Sequence, residues 1–154
     1  MTQNHLDLIA GTNIDPRSFL STDYFNHFNE VVMLFGMLPS MPEMLDDIDL
    51  WSFQSYCEHF AASSLTFAPL AIELYPHVPE ASRTNFERLC EQIHMMIVET
   101  RTLLRQTLEE GDMNKFAEIA TMGSMQLQGM IDMGGAIVHG YAGSLDQESV
   151  NKLF

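Results

Sequence analysis

Apolar residues recur along this chain at intervals of three and four, the spacing of one face of an α-helix. Residues 1–21 do not follow it. Gly11, Asn13 and the Asp15-Pro16 step read as an irregular lead-in. A first helix then runs to about Leu38, capped by Thr22 or Asp23, with Tyr24, Phe25, Phe28, Val31, Val32, Phe35 and Leu38 on its apolar side and Pro39 as its stop. Ser40-Met-Pro42-Glu43 has the form of a capping box, so a short helix is expected next. Asp46, Asp47 and Asp49 lead into a longer helix from about Trp51, whose stripe runs from Phe53 through Tyr56, Cys57, Phe60 and Phe67 to Tyr75. Pro69 lies inside that stripe and predicts a kink or break near residues 63–66.

After the turn Pro76-His-Val-Pro79, the residues Phe86, Cys90, Ile93, Ile97, Thr100, Leu104 and Thr107 alternate by four and three. This seam predicts a long helix over about 80–110. Gly111-Asp112 supplies a C-terminal glycine and the next N-cap within two residues, which forces the following helix to run back against the first. That helix spans about 113 to 139 or 141 and ends at Gly140 and Gly143. The expected fold is all-α, four-helix-bundle-like and dominated by a long antiparallel helical hairpin. One domain covers 1–144, and an amphipathic segment covers 145–154.

The 154 residues suffice for one core, and 46% hydrophobic with 18% charged content is globular rather than disordered. No run of eighteen apolar residues suggests a membrane span. Residues 1–7 lack the basic and apolar regions of a secretory signal, so a cytoplasmic location is the expectation. Seven Lys+Arg against 21 Asp+Glu give a net charge of −14. Phosphate polyanions and anionic membrane surfaces are repelled by such a chain, which leaves protein partners and metal ions. Cys57 and Cys90 fall on apolar faces, where they pack as small hydrophobes.

Two residue pairs carry the spacing of bundle metal ligands: Glu91-x-x-His94 and its reverse, His27-x-x-Glu30. Ligands of that kind project inward. At about 100° per residue, Glu91 points about 160° from the centre of its seam and Glu30 about 140°, with the histidines on the flanks. Both pairs therefore read as solvated faces. No metal or cofactor is assigned, and His27, Glu30, Glu91 and His94 stand as the only candidate ligands. Glu58-His59 also turns away from its stripe. No nucleophile context, phosphate-binding glycine loop, CxxC or HExxH occurs. The segment His139-Gly-Tyr-Ala-Gly143-Ser144 resembles the phosphoacceptor segment of histidine phosphotransfer domains, but Ala142 stands where they carry lysine and glycines end the helix. It reads as a helix terminus.

The last long helix has two apolar lines. Phe116, Ile119, Ala120, Gly123, Leu127, Met130, Ile131, Gly134, Ile137, Val138 and Tyr141 form a core face. Met122, Met125, Gly129, Met133 and Ala136 form a second, and only Thr121, Gln128, Asp132 and His139 make a polar strip. A helix apolar nearly all round is either central in its fold or covered by a partner. The second line thus reads as a homodimer seam or docking face, with complete burial inside the monomer as the alternative.

Residues 145–154, with Leu145, Val150, Leu153 and Phe154 as their apolar side, resemble the Leu-Ser-Gln-x-x-Ile-Asp-x-Leu-Leu segment by which flagellar switch proteins dock a phosphorylated chemotaxis response regulator. The C-terminal peptide of the chemotaxis phosphatase is similar. Leu145, Gln147, Val150 and Leu153 match in type, while Asp146, Asn151 and Phe154 replace Ser, Asp and Leu. The resemblance implies docking onto a receiver domain through Leu145, Gln147, Val150, Asn151, Leu153 and Phe154. A terminal helix packed on its own bundle needs the same pattern. That phosphatase is also a dimerising helical hairpin, but its catalytic Asp-x-x-x-Gln is missing: no acidic residue stands four before any glutamine, and Gln128-x-x-x-Asp132 has the reverse order. The chain thus reads as a non-enzymatic helical adaptor or regulator in chemotaxis or two-component signalling, acting through protein contacts as a homodimer. The alternative is a bundle that binds a metal ion or a small apolar ligand.

Overall fold

The structure, a computed structural model, describes residues 3–141, and the 145–154 segment lies outside them. Every regular element among the described residues is helical. The lead-in is more ordered than its glycine and proline suggest. It opens with α1, Gln3–Ile9, which ends at Gly11 in a left-handed conformation (φ +80°). Ile9, Ile14, Phe19 and Leu20 of this stretch are buried.

Ser21 starts the next element by accepting a hydrogen bond on Oγ from the Asp23 amide at 3.2 Å. A 3-10 turn, Thr22–Phe25, leads into α2, Asn26–Met37. The predicted capping box at Ser40 does not form. Met41 occupies the cap position without a side-chain bond, and Pro42 opens a short 3-10 turn, Pro42–Met44. The acidic cluster lies on α3, Leu45–Leu50, rather than before a long helix. Residues 51–55 are non-helical. The box forms instead at Ser55, whose Oγ accepts from the Glu58 amide at 3.2 Å while Glu58 Oε1 accepts from the Ser55 amide at 2.8 Å. This starts α4, Tyr56–Ala61. The break expected around 63–66 is present, and α5, Ala68–Leu74, begins with Pro69 in its first turn.

The two long helices follow the seam closely: α6 is Glu80–Glu110 and α7 is Met113–Ala136. Gly111 closes α6 at φ +76°, a conformation that favours glycine. Asp112 caps α7 by accepting from the Lys115 amide at 3.1 Å. A wider final turn, Ile137–Tyr141, ends at Gly140 with φ +86°.

α7 packs against both α6 and α2, and small residues make this possible. A Cβ on Gly123 would lie 3.0 Å from Thr100 Cγ2 on α6 and 3.4 Å from the Phe35 ring on α2. A Cβ on Gly134 would overlap the Phe25 ring outright. The rings at the start and end of α2 thus seat on the glycine positions of α7. Phe25, Phe28, Val31, Phe35, Phe86, Ile93, Ile97, Leu104, Phe116, Ala120 and Leu127 belong to one core. The lead-in seals its end: Ser18 Oγ donates to the Val138 carbonyl at 2.5 Å, and His139 Nδ1 lies 3.3 Å from Asp15 Oδ2. Partial burial acts to raise the Asp15 carboxyl, but hydrogen bonds from Arg17 and His139 outweigh it and hold the group below its usual range.

Two arginines of α6 hold α3 in place. Arg101 donates to the carbonyls of Ile48 and Trp51, each at 3.3 Å, and Arg105 pairs with Asp46 at 3.3 Å and with Asp49. Exposed ion pairs contribute only ~0–1 kcal/mol, so the part-buried Arg101 bonds to the C-terminal end of α3 do more of the orienting.

Gly134→Ala adds a good helix former but forces the buried Phe25 ring aside, and we expect a loss of about 1–3 kcal/mol in urea unfolding. Gly135→Ala meets open space at its Cβ and should gain up to about 1 kcal/mol from helix propensity. Equal effects at the two positions would contradict the seating of Phe25.

Candidate functional site

The sequence-predicted residues among the described ones fall on three surfaces: the outer side of α7, the grooves beside the histidine–glutamate pairs, and a cavity that shares Glu91 and His94 with one of these grooves. The first is the outer side of α7. Met122 is 52% exposed and Met125 70%, and Gly129 is exposed with nothing near its Cβ position. At 100° per residue these three lie on the side of α7 opposite Leu127 and Ala120, which are fully buried. The two C-terminal members of the line are less free. Met133 and Ala136 are half-buried, and Met133 packs against the core.

The second is the set of histidine–glutamate pairs. Glu30 and Glu91 are exposed, in agreement with their helical phase. His27 departs from it and is a correction: it is buried, not on a solvated flank. Its ring stacks on Trp51 at 4.7 Å between centroids, and its Nε2 accepts from the Gln54 amide at 2.9 Å. Trp51 Nε1 in turn donates to the His27 carbonyl at 3.0 Å. His27 therefore anchors the non-helical 51–55 segment across α2. Burial first, then the proximity of His59 and His94, push its imidazole down to about 4 from 6.5. His27 and Glu30 border one shallow groove, beside Asp47 and Trp51, whereas Glu91 and His94 border another. The four candidates are thus not one constellation. Among the described residues no three His, Cys, Asp or Glu side chains group as metal ligands.

The third surface is a cavity of about 350 Å³ whose lining joins Phe53, Tyr56, Cys57, Phe86 and Cys90 of the predicted apolar stripes to the candidate ligands Glu91 and His94. It lies between the 53–57 segment and the first turns of α6. Tyr24, Tyr56, Phe86 and Cys90 are its buried floor, while Phe53 and Tyr75 are half-buried walls. The rings pack in mutually tilted and edge-on pairs, with Tyr56 and Phe86 edge-to-face at 5.6 Å and Tyr56 stacked on Tyr75 at 5.1 Å. His94 stacks on Phe53 at 4.4 Å with an interplanar angle of 12°. Glu87 and Glu91, one turn apart on α6, stand exposed at the rim.

The polar groups of the floor are engaged. Tyr24 donates its hydroxyl to the Gln54 carbonyl at 2.6 Å, Tyr56 accepts on its hydroxyl from the Ser21 amide at 2.9 Å, and Tyr75 donates to Glu87 at 2.6 Å. Burial raises the hydroxyls of all three tyrosines, with Tyr75 further raised by the Glu87 carboxylate it donates to. Burial also raises the Cys57 thiol and pushes that of Cys90 up to about 12. Both cysteines are unbridged, and thiols held protonated are poor nucleophiles. The cavity is lined mainly by aromatic and other apolar side chains.

The segment bearing Leu145, Gln147, Val150, Asn151, Leu153 and Phe154 lies outside the described residues. Comparison with protein-family models, with curated proteins and with solved structures finds no match for this chain. No helix among the described residues is long and apolar enough to cross a membrane.

The burial of His27 has a pH consequence. The unfolded chain takes up this proton near pH 6.5, whereas the folded chain does so only near pH 4. Stability contributed by neutral His27 is therefore complete above about pH 6.5 and is lost as the pH falls to about 4. Urea midpoints followed over that window should fall less steeply for His27→Gln than for the parent chain. Parallel slopes would contradict the buried, neutral ring.

Proposed function

We propose that this chain is a non-enzymatic helical adaptor that acts through protein–protein contacts. We read its arrangement as four-helix-bundle-like, dominated by an antiparallel hairpin of α6 and α7. In this reading the outer side of α7 is a homodimer seam. The 145–154 segment is presented to a receiver domain, as in chemotaxis or two-component signalling.

The observation that carries the seam is the exposure of Met122 and Met125 on a helix whose opposite side is already filled by α2 and α6. Setting Thr100 against Gly123 across the hairpin brings Leu103 of α6 level with Ala120, and Leu103 is itself 49% exposed. Leu103 is thus a further exposed apolar side chain on the helix beside α7. Open space over Gly129 allows a second helix to approach closely, and methionine side chains adapt to such a contact. The receiver-docking half of the reading rests on the ten-residue resemblance, and the net charge of −14 favours partners with basic surfaces.

Sedimentation of the full chain should give a dimer, and the double variant Met122→Glu/Met125→Glu should give a monomer with unchanged helical circular dichroism. A monomeric parent chain at all concentrations overturns the seam. Separately, deletion of residues 145–154 should abolish capture of a receiver domain activated with beryllofluoride while leaving the melting point in place. Failure of the parent chain to bind any activated receiver, or loss of folding on deletion, would sink the docking assignment.

A further inference from the structure

The aromatic cavity is lined by none of the residues on the outer side of α7. We infer that it is a binding site for a small organic cation, an ammonium group carried on an aryl or alkyl body. Three features of the site select that chemistry.

First, its interior is apolar and mostly aromatic, and about 350 Å³ is at the small end of the ~300–1,000 Å³ typical of ligand pockets. The ligand body must be compact and hydrophobic. Second, the interior offers a polar ligand few hydrogen-bonding groups, the Tyr56 hydroxyl proton on the floor and the His94 ring nitrogens on the wall. The hydroxyls of Tyr24 and Tyr75 donate to Gln54 and Glu87, that of Tyr56 accepts from Ser21, and among the described residues no buried side-chain nitrogen or oxygen lacks a partner. A sugar or other polyol would lose its water and gain little in return.

Third, the carboxylates are the only permanently charged groups around the cavity, and His94 is stacked on the Phe53 wall. Glu87 and Glu91 stand at the rim, and neither lysine nor arginine lines the site. A carboxylate or phosphate ligand meets repulsion there. An ammonium group meets two carboxylates and the negative faces of the tyrosine and phenylalanine rings, which attract cations. Glu87 is held in place by the Tyr75 hydroxyl at 2.6 Å, and it sits i, i+4 from Glu91 on the same side of α6. The body therefore enters over Tyr56 and Phe86 while the cationic end stays at the Glu87–Glu91 rim.

The test is calorimetric titration of the full chain with three probes of similar body: 2-phenylethylammonium, 2-phenylethanol and 3-phenylpropanoate. The ammonium probe should bind tightest, the alcohol more weakly, and the carboxylate not at all in the low-millimolar range. Nuclear Overhauser contacts from the aryl protons of the bound ammonium probe should fall on the rings of Phe53 and Tyr75. Because a chain of charge −14 attracts any cation loosely, the double variant Glu87→Gln/Glu91→Gln supplies the control. Both positions are exposed, so the fold is retained. Its affinity for the ammonium probe should fall roughly threefold to tenfold while that for the alcohol stays unchanged. The inference is overturned by carboxylate binding equal to that of the ammonium probe, by no binding of any probe, or by an unchanged ammonium affinity in the variant. Contacts confined to Met122 and Met125 would overturn it as well, by placing the probe on the outer side of α7.

Discussion

The fit of two phenylalanine rings against two glycines governs this molecule. Phe25, the last residue of the turn before α2, and Phe35, near the end of α2, occupy the space that Gly134 and Gly123 leave on α7. Protein interiors are packed at crystal-like density, so such a seating admits no alternative ring position. It fixes how α2 lies on α7, and therefore which side of α7 faces inward. Once that side is committed, the line through Met122, Met125 and Gly129 has nothing among the described residues to cover it. The surplus of apolar surface on α7 is a consequence of the core and not a separate feature.

The same packing positions the rest. With α2 set, His27 reaches the 51–55 segment and stacks on Trp51, while Arg101 of α6 holds the same segment by the Trp51 carbonyl. Pinned at both points, the chain from 51 to 55 stays extended, and the helix beginning at Tyr56 starts late. That late start opens the space between Phe53 and the first turns of α6. Had helix formation begun at Trp51, as the stripe suggests, that space would be arranged differently. A buried histidine bond of 2.9 Å to the Gln54 amide thus contributes to a cavity lined by other residues.

What the sequence reveals and what it hides divide along the range of the interactions. Gly111 and Asp112 are local signals, and α6 and α7 end and begin beside them. Pro69 likewise marks the start of α5. His27 was misplaced because helical phase registers only the stripe of its own helix. Its burial comes from Trp51 and Phe53, 24 and 26 residues further along. The Ser55-x-x-Glu58 box was legible and was missed because the apolar stripe continued through it, whereas Ser40-x-x-Glu43 has the same form and does not cap. α1 gave no periodic signal within its seven residues. As for the cavity, Phe53, Tyr56, Cys57, Phe86 and Cys90 all stand on predicted apolar stripes. No periodicity distinguishes a stripe that closes from one that leaves a hollow.

The two faces of α7 give the account its sharpest consequence, and methionine methyl resonances report on both. With methyl-labelled methionine and a soluble paramagnetic agent, the methyl groups of Met122 and Met125 should broaden in dilute protein and become protected as the concentration rises. Met33 and Met95, exposed on α2 and α6, should broaden at every concentration, and buried Met130 at none. Met122 and Met125 remaining accessible throughout would contradict a second copy on the outer side of α7. Broadening of Met130 would contradict the packing from which that side was deduced.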